Sequence, residues 1–177
     1  MLIPILITLA AIIVVFILIV ATRPAEFQVT RSATMAAPAA AVFAQVNDFH
    51  NWQAWSPWAK IDPQIKQTYE GPAAGVGAKY HWVGNKKVGE GRMTITENKP
   101  GERIAIKLEF LKPFATTNTA EFTFKGDGGQ TVVTWTMLGK NSFIAKAFCM
   151  FMNMDKMVGG DFEKGLAAMK AVVEAAR

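Results

Sequence analysis

The stretch RIAIKLEFLKPFATTNTAEFTFKGDGGQTVVTWTML, at residues 103–138, decides the fold class of this chain. Apolar and polar residues alternate along residues 103–110, 116–124 and 131–138, as they do in strands that bury one face. The GDGG turn at residues 126–129 is a clear hairpin signal, because glycine can take the positive φ that tight turns need. Connections this short join antiparallel strands, since parallel strands need a long crossover.

Four further alternating segments lie upstream, separated by Gly and Pro, at residues 27–32, 66–70, 78–83 and 89–97. One sheet of seven antiparallel strands is therefore predicted. After the first strand, Pro38 can open a helix over the apolar positions Val42 and Val46. Asp48 can then cap a second short helix around Trp52.

A long helix is predicted at the C-terminus, where the period of the apolar residues changes. Phe162, Leu166, Met169 and Val173 recur at spacings of four, three and four, which places them on one helical face. The large partner available for that face is the concave side of the sheet. The glycine pair at residues 159–160 is expected to separate this helix from a shorter one, with Asp161 as its N-cap.

The N-terminal segment predicts a membrane anchor. Residues 2–22 carry no charged side chain, and fifteen of them are Leu, Ile, Val or Phe. About 20 apolar residues in a helix cross the hydrocarbon core of a bilayer. We therefore expect a single-pass anchor at 1–22, a linker at 23–26 and one soluble domain at 27–177. Arg23 and Arg31 follow the anchor, and the positive-inside tendency favours a cytoplasmic domain.

A secretory signal peptide is the competing interpretation of this segment. Its n-region has no Lys or Arg, however, and its apolar run is longer than the usual h-region. The residues around Ala21 also make a poor small-x-small cleavage site. These features favour an anchor that is retained.

Composition excludes several classes of protein. The chain has one cysteine and two histidines, so neither a disulfide framework nor a Cys/His zinc site is expected. A net charge of +5, with no basic run longer than the pair at 86–87, gives no support to nucleic-acid binding. Neither histidine lies in a nucleophile motif, and no complete phosphate loop is present. No catalytic residue, metal or cofactor is therefore predicted.

The chain resembles the SRPBCC superfamily, which includes START lipid-transfer domains, polyketide cyclase-like proteins, coenzyme Q-binding proteins and birch-allergen-type ligand carriers. Four segments of roughly residues 26–175 carry the likeness: AAPAAAVF at 36–43, NDFHNWQAWSPW at 47–58, GVGA at 75–78 and GDFEKGL at 160–166. It is most similar to the membrane-anchored bacterial members labelled polyketide cyclase-like. The resemblance implies the α+β helix-grip fold, a START-like antiparallel sheet wrapped around the C-terminal helix.

The resemblance also implies a deep cavity between the sheet and that helix, holding an apolar or amphipathic molecule. By strand alternation, Asn118 shares a face with Phe122 and is the best candidate for a polar contact to a ligand. The lining candidates, each of which could equally be ordinary core, are Trp55, Trp58, Tyr80, Trp82, Ile106, Leu108, Phe110, Asn118, Phe122, Trp135, Phe151, Met154, Phe162 and Leu166. The tryptophans near Trp55 could instead gate a pocket mouth or rest at a membrane interface.

Three functions remain open from the sequence. The leading one is a non-enzymatic domain, anchored through residues 2–22, that binds or shuttles a lipid, quinone or isoprenoid. The second is a cyclase- or aromatase-type enzyme with a cavity carboxylate or a tyrosine as acid–base group. The third is an interaction module of the chaperone-activator type, whose cavity is filled and whose exposed tryptophans mark a partner surface. A buried carboxylate with a raised pKa would favour the enzyme.

Overall fold

The computed structural model describes residues 2–59, 61–62 and 64–176. An apolar helix, α1 (Leu2–Thr22), precedes an α+β domain. The domain comprises β1 (Glu26–Met35), α2 (Ala39–Asn47), a 3-10 turn (Phe49–Asn51), α3 (Trp52–Trp55), β2 (Lys66–Glu70), β3 (Lys79–Val83), β4 (Glu90–Lys99), β5 (Arg103–Lys112), β6 (Thr116–Asp127), β7 (Gln130–Lys140), α4 (Phe143–Cys149) and α5 (Met154–Ala175).

The seven strands form one antiparallel sheet in the order β1-β7-β6-β5-β4-β3-β2. This confirms the predicted sheet, and β2 has the predicted bounds. Most of the other strands are longer than predicted, and β1 continues to Met35. Ala33 and Met35 lie on the same inner face as Val29, so β1 continues past residue 32. The small and polar residues around them make the apolar-polar alternation hard to recognise in the sequence.

Helix α5 covers the inner face of the sheet with the predicted stripe. Phe162, Leu166, Met169 and Val173 are all buried, and α5 packs mainly against β1 and α3. The order of elements and the position of this helix are those of the helix-grip fold. Asp48 accepts a hydrogen bond from the His50 backbone N–H and caps the 3-10 turn, whereas the N-cap of α3 itself is Asn51, which makes no side-chain cap bond.

The predicted helix break at Gly159 and Gly160 is wrong. Helix α5 runs through both glycines from Met154, and its N-cap is Asn153, which accepts a hydrogen bond from the Lys156 N–H. Gly159 instead allows a close approach, because a Cβ there would collide with the guanidinium of Arg31 as it is placed. Gly159 therefore belongs to a contact between α5 and β1 and not to a turn.

Arg31 fastens the N-terminal half of α5 to β1. Its Nη2 lies 3.0 Å from Asp155 Oδ2 and its Nε lies 2.6 Å from Glu163 Oε1. Asp155 and Glu163 are two turns apart on α5, so one side chain ties two points of the helix. Arg31 lies directly opposite Trp135 in the ladder of β1 and β7, which places it on the inner face.

Helix α1 is long and apolar enough to span a membrane. A signal sequence would meet the same criteria. Its C-terminal end is joined closely to the domain: Val20 is buried, α1 contacts α4, and the Asn141 N–H donates to the carbonyl of Ala25 at 2.8 Å.

The close approach at Gly159 gives a test with a neighbouring control. Gly159→Ala should displace the Arg31 guanidinium, whereas a Cβ at Gly160 meets no atom within 4 Å. Replacing a helical glycine by alanine otherwise stabilises by up to about 1 kcal/mol. In urea unfolding, we expect Gly160→Ala to raise the free energy of unfolding. We expect a lower free energy of unfolding for Gly159→Ala than for Gly160→Ala, because the Arg31 guanidinium must shift away from Asp155 and Glu163. Equal values for the two variants would contradict the contact.

Candidate ligand site on the inner face of the sheet

Alternate residues of the strands build the inner face of the sheet. Leu108 on β5 lies opposite Asn118 on β6, and Phe122 on β6 lies opposite Trp135 on β7. The face is almost wholly apolar, and its central residues Ile104, Ile106 and Phe122 are inaccessible to solvent.

A cluster of aromatic rings lies between this face and α5. Trp135 stacks on Phe162 with ring centroids 4.0 Å apart and an angle of 6° between the planes, and it stacks on Phe122 at 4.8 Å. The rings of Trp55 and Trp58 meet Trp135 edge-on at 5.7 and 5.8 Å. These rings fill the space between sheet and helix at this level.

The structure brings most of the predicted lining residues into this one core. Seven apolar ones are buried: Trp55, Trp82, Ile106, Phe122, Trp135, Phe162 and Leu166. Four are half-buried and pack on the core: Trp58, Tyr80, Leu108 and Phe110. Asn118 is buried beside them, with 6% of its surface exposed.

Phe151 and Met154 lie apart from that core. Phe151 is 80% exposed, because it sits in the turn between the end of α4 and the N-cap of α5. Met154 is the first residue of α5 and is half-buried. The sequence predicts both as lining residues, but α4 ends at Cys149 and leaves Phe151 in the exposed turn.

Two buried polar atoms on the inner face have no hydrogen-bond partner among the described residues. They are Oδ1 of Asn118 and Nε1 of Trp135. The indoles of Trp52 and Trp55, in contrast, donate to the carbonyls of Val46 and Gln45, each at 3.1 Å. Buried polar atoms are nearly always paired, so the two exceptions need an explanation.

The Asn118 side chain lies over a glycine that leaves room for it. A Cβ at Gly139 would collide with Asn118 Oδ1 and with the ring of Phe27. Sequence reasoning missed Gly139 and Phe27, and it missed Arg31 as an inner residue. For Phe27 and Arg31 the alternation of β1 holds the signal, since both share the register of Val29.

Ionisable groups that could carry acid–base chemistry are poorly placed for it. Burial, with a smaller effect from Tyr69, raises the pKa of Tyr80 to about 12. Ion pairs with basic side chains hold the pKa values of Glu90, Glu109 and Asp155 below their ordinary range. Glu109 and its partners lie on the outer face, as the alternation of β5 predicts. In each of these three carboxylates the pKa is thus lowered, which is opposite to the shift that a general acid at neutral pH needs.

Two shallow pockets open on the surface, away from α5. One, of about 260 Å³, is lined by Phe49, His50, Tyr69 and the turn that follows β2. The other, of about 150 Å³, lies on the outer face between Thr68, His81 and Arg92. The deep cavity expected under α5 corresponds to neither of them, and it stays a prediction. The described residues offer no cluster of three or more metal-ligating side chains.

Comparison with known proteins gives one family. The family model described as polyketide cyclase/dehydrase and lipid transport matches residues 26–174. A search of curated proteins finds no match.

Solved structures share the fold at low sequence identity. A protein from Nitrosospira multiformis is 20% identical, with a TM-score of 0.60 over 85% of this chain and all of its own. A protein from Chromobacterium violaceum is 16% identical, with a TM-score of 0.58 over 83% of this chain and 96% of its own. DynU16, from the dynemicin biosynthetic locus, is 13% identical, with a TM-score of 0.58 over 85% of this chain and 48% of its own. Likeness at this level shows the fold.

The unpaired acceptor of Asn118 predicts an unusual mutational effect. Asn118→Leu removes a buried oxygen without a partner and should leave the free energy of unfolding unchanged or raise it by about 1 kcal/mol. Asn98→Leu is the control, because Asn98 Nδ2 donates to Asn47 Oδ1 at 2.5 Å, and it should lower that free energy. Chemical unfolding of the ligand-free protein measures both. A clear loss for Asn118→Leu would make Asn118 structural.

The outer ion pairs predict a dependence of stability on pH. Arg92 and Lys107 lower the pKa of Glu109 to about 2, from an unfolded-state value of 4.5. A carboxyl whose pKa is lowered by folding stabilises the folded state at pH values above its unfolded-state pKa. This stabilisation is lost as the pH falls toward 2. Glu109→Gln should therefore be less stable than the parent at pH 7, and the difference should shrink between pH 4.5 and 2. Glu102→Gln, at an exposed residue without an ion pair in the described structure, should show no such trend.

Proposed function

Because the chain belongs to the polyketide cyclase/dehydrase and lipid transport family over residues 26–174, we propose that its domain binds an apolar or amphipathic molecule. The class we propose is a lipid, quinone or isoprenoid. The domain carries this molecule and does not transform it.

The unpaired polar atoms on the inner face are the observation that carries this proposal. Leaving a buried donor or acceptor without a partner costs about 1–3 kcal/mol. Asn118 Oδ1 offers an acceptor and Trp135 Nε1 a donor, both set in an apolar surface. A ligand with an apolar body and a few polar groups would satisfy them and place its body among the rings.

The spacing of the two residues along the strands suits an elongated ligand. Trp135 lies opposite Phe122, which is four residues along β6 from Asn118. At about 3.3 Å per residue, the two positions are about 13 Å apart along the strands. Ile106, Ala120 and Met137 lie between them on the same face and are all buried.

Binding requires the ring cluster to open, because Phe162 now stacks directly on Trp135. The segment best suited to move is the one that precedes α5. Residues 143–153, which include α4, contain no buried residue, and loosely packed segments open at low free energy. We infer that the mouth of the site forms there.

Helix α1 would hold the domain at a membrane. Its length and hydropathy support an anchor at residues 1–22, with a linker at 23–26 and the domain at 27–177. Arg23 at its C-terminal flank favours a cytoplasmic domain. A ligand that is poorly soluble in water would gain a short path between bilayer and protein.

The two other classes have less support. An acid–base enzyme would need a group that titrates near neutral pH, whereas Tyr80 has a pKa raised to about 12 and Glu109 a pKa lowered to about 2. A partner surface marked by tryptophans would need them exposed, yet Trp52 and Trp55 are 6% and 1% exposed. Carriage of a ligand is the function that the inner face supports best.

A ligand held at Asn118 should be lost from Asn118→Leu and kept by Thr119→Leu. Thr119 is the matched control, because it is the next residue of β6 and faces solvent. The full-length chain and both variants are extracted from the membranes of the native host, and bound lipids are identified by native mass spectrometry. We expect one species at near-stoichiometric amount, enriched over bulk lipid, and reduced about tenfold in Asn118→Leu. A bulk lipid profile for all three chains would contradict the proposal.

A further inference from the structure

Outside α1, the described structure has four exposed phenylalanines, and they lie at one end of the domain. Phe114, Phe148 and Phe151 are 81%, 63% and 80% exposed, and Phe143 is 47% exposed. Ile144, between them on α4, is 77% exposed. We call these five residues the anchor-end face. A concentration of exposed large apolar residues marks an interaction surface.

The topology places this face where α1 enters the domain. Phe114 lies in the turn after β5, and α4 begins just after β7. The last residue of β7, Lys140, lies opposite the first residue of β1, Glu26. The end of the sheet that carries the face is therefore the end to which α1 is attached.

The connection between α1 and the domain is too short to let the anchor end of the domain move far from α1. Three residues separate Thr22 from Glu26, which span no more than about 14 Å even when extended. The Asn141 N–H also donates to the carbonyl of Ala25, and α1 contacts α4. If α1 spans a bilayer, the anchor-end face lies within about one headgroup layer of its surface.

We propose that the anchor-end face docks on the lipid bilayer that holds α1, with its phenylalanines in the interfacial layer. This rests on the proposed role of α1 as an anchor. Aromatic and aliphatic side chains beside a basic residue are typical of segments that lie in a membrane interface. Arg23 and Lys146 supply the charge: neither forms an ion pair with a described residue, and both can meet anionic headgroups.

Docking would turn the proposed mouth of the ligand site toward the bilayer. Asn118 is only two residues from the start of β6, so its unpaired oxygen lies near the anchor end of the inner face. A lipophilic ligand could then pass between bilayer and domain beside α4 without crossing bulk water.

Spin labels at single cysteines test the docking in the full-length chain. Cys149 is the only cysteine, so Cys149→Ser gives a background without a reactive thiol. Labels are then introduced by Phe114→Cys, Phe151→Cys, Ile12→Cys in α1, and Asp127→Cys in the hairpin at the far end of the sheet. Power saturation with oxygen and with a water-soluble nickel chelate reports depth in phosphatidylcholine/phosphatidylglycerol vesicles.

We expect the labels at 114 and 151 to be at least fivefold less accessible to the nickel chelate than the label at 127, and the label at 12 to lie in the hydrocarbon. Labels at 114 and 151 as accessible as the one at 127, with 12 still in the hydrocarbon, would overturn the docking and leave the anchor intact. A water-accessible label at 12 would overturn both. Shielding of 114 and 151 in native membranes but not in pure lipid would overturn the lipid assignment in favour of a protein partner.

Discussion

The packing of α5 on the inner face of the sheet is the contact on which the rest of the domain depends. Seven strands present one continuous apolar face, and α5 covers it together with the buried side chains of α2 and α3. The stack of Trp135 on Phe162 joins the two layers at β7, and Arg31 joins them at the edge strand β1. Without α5, Trp135 would lose this stack and Arg31 would lose both of its acidic partners.

The same packing has two opposite effects on the stability of the proposed site. Close packing of the rings stabilises the empty domain, yet it leaves Asn118 Oδ1 and Trp135 Nε1 buried and unpaired. A domain selected only for stability would gain by replacing them, since an unpaired buried polar group is a net loss. Their presence fits a site that exchanges ring contacts for ligand contacts, and the loosely packed segment around α4 is where such an exchange can begin.

The two ends of the sheet differ in a way that suits this exchange. At the far end, Glu174 of α5 accepts a hydrogen bond from the Ala36 N–H, and the buried hydroxyl of Thr131 donates to the carbonyl of Ala37. At the anchor end, α4 has no buried residue and presents apolar side chains outward. The end that is least closed is thus the end nearest the apolar helix, which is the arrangement expected of a carrier that loads from a bilayer.

The antiparallel strands, the stripe of α5 and the apolar N-terminal helix could be predicted from the residues alone, because each depends on a local period or on length. The sequence also placed Asn118 on the inner face correctly, since strand alternation is a local rule. Contacts across the fold, in contrast, show that Gly159 makes room for Arg31, that Phe151 points outward and that Trp135 Nε1 has no partner among the described residues. Those features depend on which side chains meet across elements far apart in the chain, and no local period carries that information.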